Sequence, residues 1–233
     1  MGDGVPLIRL GDTLLVSLQG DLDDAAALRI EDRVAREVAR IGAKGTLDGD
    51  SGDGWAVASS RGRLAALVVD ALGHGPLAHA GSVSAVTALG ERPTDDLTGY
   101  VRRAHEAMRT TRGGVLGVGV IHAQLGELTQ ASVGNVSGHV RVEGVSSTLR
   151  SREGTLGTAL EMPQVHRAAY PWGPGATLVL ASDGLRSHRE LLARPGLLRH
   201  DPTVVAAAVL RDAERNADDA TVLVVRDERE PAG

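Results

Sequence analysis

Four short acidic motifs stand at the ends of separate apolar runs, and no other feature restricts the fold of this chain as much. They are Ser51-Gly52-Asp53, Asp70-Ala71-Leu72-Gly73-His74-Gly75, Ser182-Asp183-Gly184 and Asp218-Asp219-Ala220-Thr221. Val-Val precedes Asp70, Leu-Val-Leu-Ala-Ser precedes Asp183, and Val-Leu-Val-Val follows Thr221. Strands that each deliver a carboxylate at one end can gather several carboxylates in one place. Crowded carboxylates repel, so such a cluster calls for a cation at neutral pH. Oxygen-only ligation points to a hard ion such as Mg²⁺ or Mn²⁺ rather than zinc.

Composition narrows the rest. The 233 residues suffice for one large domain, or one domain plus a fragment. With two Trp, two Tyr and no Phe, the core must be built from Val, Leu and Ala. Cysteine is absent, which removes disulfides, thiolate zinc sites and cysteine nucleophiles together, and fits a reducing cytoplasm. A net charge of −5 advertises no basic surface for nucleic acid. No apolar run approaches the ~20 residues that span a bilayer, and the first residues do not read as a signal peptide. The expectation is a cytoplasmic protein with neither nucleic acid nor membrane as partner.

Along the chain, residues 5–10 and 13–18 read as two strands around a Gly11-Asp12 turn. Asp23 or Asp24 can cap a following helix, with Leu28, Val34, Val38 and Ile41 near helical spacing and Gly42 as its stop. Residues 45–54 are nearly all turn formers and carboxylates, at once linker and candidate metal loop. Residues 55–59 and 64–69 form an expected hairpin around Arg61-Gly62. Helices are expected over 76–89 and 95–109. Strands follow at 115–123, 128–133, 139–142, 165–170 and 177–181. Two late helical stretches, near 190–193 and 202–215, precede a last strand at 221–225. Strands in runs and helices in pairs predict an α+β fold, a four-layer α-β-β-α sandwich of two stacked, mainly antiparallel sheets flanked by helices.

Ser51-Gly52-Asp53-Gly54-Trp55, Leu67-Val68-Val69-Asp70-Ala71-Leu72-Gly73-His74-Gly75, Gly134-Asn135, Leu180-Ala181-Ser182-Asp183-Gly184-Leu185 and Asp218-Asp219-Ala220-Thr221-Val222-Leu223-Val224 carry a family resemblance. In order and spacing they resemble the metal-dependent (PPM-type) protein serine/threonine phosphatases. The similarity is to the sporulation-phosphatase (SpoIIE) branch, and especially to RsbX-like stressosome phosphatases. It implies a phosphatase domain over 48–227 with two ions, Mn²⁺ or Mg²⁺. By resemblance Asp70 bridges the ions and the Ala71 carbonyl is a further ligand. Asp183 and Asp218 hold one ion, Asp53 helps to hold the other partly through waters, and Asp219 orients a ligand or water from behind. Gly73 and Gly75 let the chain turn tightly after Asp70. His74 is a candidate acid near the leaving group, or else a plain loop residue.

The implied reaction is hydrolysis of phosphoserine or phosphothreonine by metal-bound hydroxide, without a phosphoenzyme. Many relatives bind phosphate with an arginine near the N-terminus. None precedes Asp53 in a matching motif, and Arg61, Arg63 and Arg186 are the substitutes the sequence offers. Residues 1–45 resemble the start of an RsbS-type STAS domain, cut short before that family's phosphorylated serine. They are either a truncated fusion, or their two strands complete the phosphatase sheets. The implied partner is a phosphorylated STAS-domain protein in stress or sigma-factor signalling. The rival readings are a non-catalytic stressosome-type binding module with a degenerate phosphatase domain, and a phosphatase of small molecules.

Overall fold

Residues 64–69 are apolar without interruption because their strand, β4 (Arg63–Ala71), is covered on both faces. Leu64, Ala66 and Val68 enter one core with Leu178, Leu180, Leu223 and Val225. Ala65, Leu67 and Val69 enter a second with Ala78, Ala85, Leu89, Tyr100 and Val101. The two-residue repeat of a strand sends alternate side chains to opposite sides. One strand therefore serves two cores, and the layered arrangement follows from it.

The computed structural model describes residues 7–10, 13–18, 51–60, 62–91, 96–185, 192–194, 196–213, 219–227 and 229. The elements before β4 are β1 (Leu7–Leu10), β2 (Thr13–Leu18) and β3 (Asp53–Ser60). After it come α1 (Pro76–Glu91), α2 (Leu97–Met108), β5 (Gly114–His122), β6 (Glu127–Val133), β7 (Ser137–Val142) and β8 (Val145–Leu149). Then follow β9 (His166–Pro171), β10 (Thr177–Ala181), α3 (Pro202–Ala213) and β11 (Val222–Arg226). One sheet has five antiparallel strands in the order β3-β4-β5-β6-β9. The other has six, β1-β2-β11-β10-β7-β8, antiparallel except where β2 runs parallel to β11.

The sheets face each other across the first core. Helices α1 and α2 cover the outer face of the five-stranded sheet. Helix α3 covers the outer face of the six-stranded one, packing Val205, Ala206 and Val209 on Val179, Val222 and Val224. This is the expected four-layer α-β-β-α sandwich. Among the described residues no helix is long and apolar enough to cross a membrane.

The differences from the expected elements are local. Strand β8 was not anticipated: Val145-Ser-Ser-Thr-Leu149 lacks an apolar face because it is an exposed sheet edge. Its turn, Glu143-Gly144, has both residues at positive φ, 49° and 83°, the geometry of a two-residue hairpin. Strand β3 begins at Asp53, so the expected loop over 45–54 yields its last two residues to the sheet. Helix α2 begins after Asp96, whose carboxylate accepts the N–H groups of Thr98 and Gly99. The helix expected after Asp23 or Asp24 lies outside the described residues, as do the first two residues of the one near 190–193. Strands β1 and β2 form as expected, and Ser17 and Leu18 pair with Val224 and Val225.

Candidate metal centre

Asp53 opens β3, Asp70 stands next to last in β4, and the two are direct partners across the ladder. Antiparallel partners share a face with Cβ atoms roughly 5 Å apart. Alternation along β4 puts Asp70 on the side of Ala66 and Val68, toward the six-stranded sheet. From that sheet, Ser182 follows β10 in the phase of Leu178 and Leu180, and so turns inward. Its hydroxyl donates to Asp53 Oδ2 at 2.6 Å and accepts the Thr221 N–H at 2.9 Å. The Ser182 N–H in turn donates to the Thr221 carbonyl at 3.0 Å. One buried serine thus ties the start of β3 to the facing ends of β10 and β11.

Two more carboxylates are held at the same end. Asp219 Oδ2 accepts the Gly52 N–H at 2.7 Å, so the segment leading into β11 grips the residue ahead of Asp53. Asp183 Oδ2 accepts Asn135 Nδ2 at 2.6 Å, joining the end of β10 to the connection between β6 and β7. Gly184 is required by proximity: a methyl group there would overlap the Asp219 carbonyl oxygen. The Ala71 N–H donates to the Gly52 carbonyl at 3.0 Å, and His79 Nδ1 lies 3.2 Å from the Ser51 carbonyl.

The electrostatics register this crowding. The Asp53 carboxyl is pushed up from the usual 3.8 to about 6, first by burial. Hydrogen bonds from Ser182 and Thr221 oppose the rise, while the charges of Asp219 and Asp183 add to it. A carboxylate kept from water beside two others is a place where a cation is favoured. The donors are all oxygen, which fits a hard divalent ion. Among the described residues, no three His, Asp or Glu side chains form a set able to hold an ion. Asp218, a ligand implied by the sequence, lies outside those residues.

The structure thus brings Asp53, Asp70, Asp183 and Asp219 to one end of the sandwich, with Ala71 beside them. His74 stands exposed in the loop after β4. Arg63 is remote: it begins β4, seven residues from Asp70, about 23 Å along the strand. There it lines a cavity of about 170 Å³ with Asp96, His122, Glu127 and Arg167. Arg61 and Arg186 lie outside the described residues. Sequence reasoning assigned no role to Ser182, Thr221 or His79, and Asn135 entered only through the Gly134-Asn135 motif of the resemblance. Ser182 and Thr221 fall inside the acidic motifs, which was their only signal; His79 gave none.

Two layers of helix around two stacked sheets, with carboxylates converging at one end, define a PP2C-type phosphatase fold. Residues 60–227 match the model of the family described as Stage II sporulation protein E (SpoIIE), and the chain belongs to that family of PP2C-type protein phosphatases. Solved structures agree on the fold. A chain from work on the bacterial stressosome, a modular system adapted to control secondary messenger signalling, is 24% identical with a TM-score of 0.68, over 78% of this chain and 93% of that one. RsbX in complex with magnesium is 20% identical with a TM-score of 0.65, over 78% of this chain and 88% of that one. The serine/threonine phosphatase PstP/Ppp of Mycobacterium tuberculosis is 18% identical with a TM-score of 0.60, over 80% and 95%. No relative is found among curated protein sequences.

Proposed function

We propose that this chain is a cytoplasmic phosphatase that uses two Mn²⁺ or Mg²⁺ ions to remove phosphate from phosphoserine or phosphothreonine. Its substrate is a phosphorylated STAS-domain regulator in stress or sigma-factor signalling of the partner-switching kind. The observation that carries the reading is the in-register Asp53–Asp70 pair, with Ser182 bridging it to the ends of β10 and β11. Asp70, Asp53, Asp183, Asp218 and the Ala71 carbonyl would hold the ions, with Asp219 behind them. When bound, such ions neutralise phosphate charge and lower the pKa of water. The magnesium in RsbX supports that choice of ion, and the stressosome setting of the structural relatives supports a regulator as substrate.

The chain's own residues orient that site. Ser182 aims the Asp53 carboxylate, Asn135 aims Asp183, and the Gly52 N–H aims Asp219. In this reading His74, exposed in the loop after Asp70, donates a proton to the departing hydroxyl oxygen of the substrate residue. The test is turnover of p-nitrophenyl phosphate, a phosphopeptide panel, a panel of phosphorylated metabolites and a phosphorylated STAS protein, each with and without Mn²⁺. Metal-dependent turnover with preference for the STAS protein is expected. Preference for metabolites would replace the substrate class, and no turnover with any metal would leave a binding module.

A further inference from the structure

Arg112 lies in the exposed connection between α2 and β5, and its guanidinium rests on the backbone of Gly73. A methyl group built on Gly73 would come within 2.6 Å of Arg112 Nη1 and 3.8 Å of its Cζ. Two local features place it there. The Leu72 N–H donates to the Gly113 carbonyl at 2.9 Å, which fixes the Arg112-Gly113 backbone beside the turn that follows Asp70. Gly73 has φ 84°, a conformation natural to glycine, and without a side chain it leaves the guanidinium room.

The carbonyl oxygens of this turn face Gly52, the residue ahead of Asp53. A methyl group on Gly52 would lie 2.8 Å from the Gly73 carbonyl oxygen and 3.0 Å from that of Ala71. Gly52 precedes Asp53 and holds Asp219 through its N–H. A single tight turn therefore separates a guanidinium from Gly52, the residue that precedes Asp53 and holds Asp219. Among the described residues Arg112 makes no hydrogen bond or ion pair, whereas Arg194 and Arg229 are paired with aspartates. Arginine keeps its charge at any working pH and presents a planar fork that matches a phosphate in two-pronged fashion.

We infer that Arg112 is the phosphate-binding arm of this enzyme, reaching over the Gly73 turn to the phosphoryl group of the substrate. The inference rests on the phosphatase reading of the carboxylate cluster, and it fills the role that Arg63 is too distant to take. It gives the substrate phosphate a fixed cation at the mouth of the site, opposite the aspartates.

The test compares the full-length wild-type protein with Arg112→Ala, Arg112→Lys and Arg112→Gln in Mn²⁺. It measures KM and kcat on a phosphoserine peptide, inhibition by inorganic phosphate, calorimetric binding of inorganic phosphate, and melting temperature. Arg112→Ala and Arg112→Gln should raise KM, the inhibition constant and the dissociation constant of phosphate by about tenfold or more, with melting unchanged. Arg112→Lys should recover part of the loss. Wild-type turnover with Arg112→Ala unchanged in all three constants would overturn the arm and leave the phosphatase reading intact. Phosphate binding that depends on Arg112 in a protein without turnover would keep the arm and remove the enzyme. Weakened phosphate binding that merely follows a fall in melting temperature in both Arg112→Ala and Arg112→Gln would also overturn it.

Discussion

Ser182 does more for the site than its size suggests. It is 1% exposed, donates to Asp53 and accepts from Thr221. Replacing it with alanine strands the Thr221 N–H and removes a bond that favours the ionised form of Asp53. Ser182→Ala should cost about 1–3 kcal/mol by denaturant unfolding and push the Asp53 carboxyl further up. Asp53 itself carries a pH signature. Its folded value of about 6 lies above the unfolded 3.8, so the folded state holds the proton more tightly. Its contribution to stability is therefore present at low pH and lost as pH rises through about 4 to 6. The metal-free protein should lose melting temperature across that window relative to Asp53→Asn, and a saturating divalent ion should reverse the loss. A wild-type curve parallel to that of Asp53→Asn would refute this. For Asp70→Asn, the expected result is at least a ~100-fold loss of turnover, the scale of removing a main electrostatic stabiliser. Near-normal activity would remove Asp70 from the reaction.

The elements divide into those their own residues announce and those their surroundings create. Strands β4, β10 and β11 were legible because burial on two faces demands unbroken apolar runs, and an acidic motif flanks each run at one end. Helix α2 was legible as a helical stretch over 95–109, whereas the cap at Asp96 that sets its start came only with the structure. Strand β8 was not, since an edge strand in solvent needs no apolar face and its partner β7 supplies its definition. The pairing of β2 with β11 is likewise a long-range event that no local pattern encodes. Two predictions belong at this scale. Leu180, 2% exposed between the sheets, should cost roughly 2–5 kcal/mol when changed to alanine, measured by denaturant unfolding. Deleting residues 1–44 should uncover the flank of β11 and lower the melting temperature; unchanged melting would mark the hairpin as an appendage.

At the scale of the whole molecule, the acidic motifs predicted that their strands would meet, and the segments that carry Asp53, Asp70, Asp183 and Asp219 lie at one end of the sandwich. What could not be read was how they are oriented. The hydrogen bonds from Ser182, Asn135 and Gly52 depend on the spacing between two sheets, and that spacing emerges only when both cores are packed. The same holds for Arg112, whose value lies in a contact with Gly73 that crosses from one loop to another.

Register also decides where attachments can go. Val222 pairs with Ala181 near the aspartates, whereas Arg226 pairs with Thr177 at the far rim. A reporter or neighbouring module tethered beyond Arg226 starts out on the side turned away from incoming substrate, and such a fusion should hydrolyse as fast as the untagged protein.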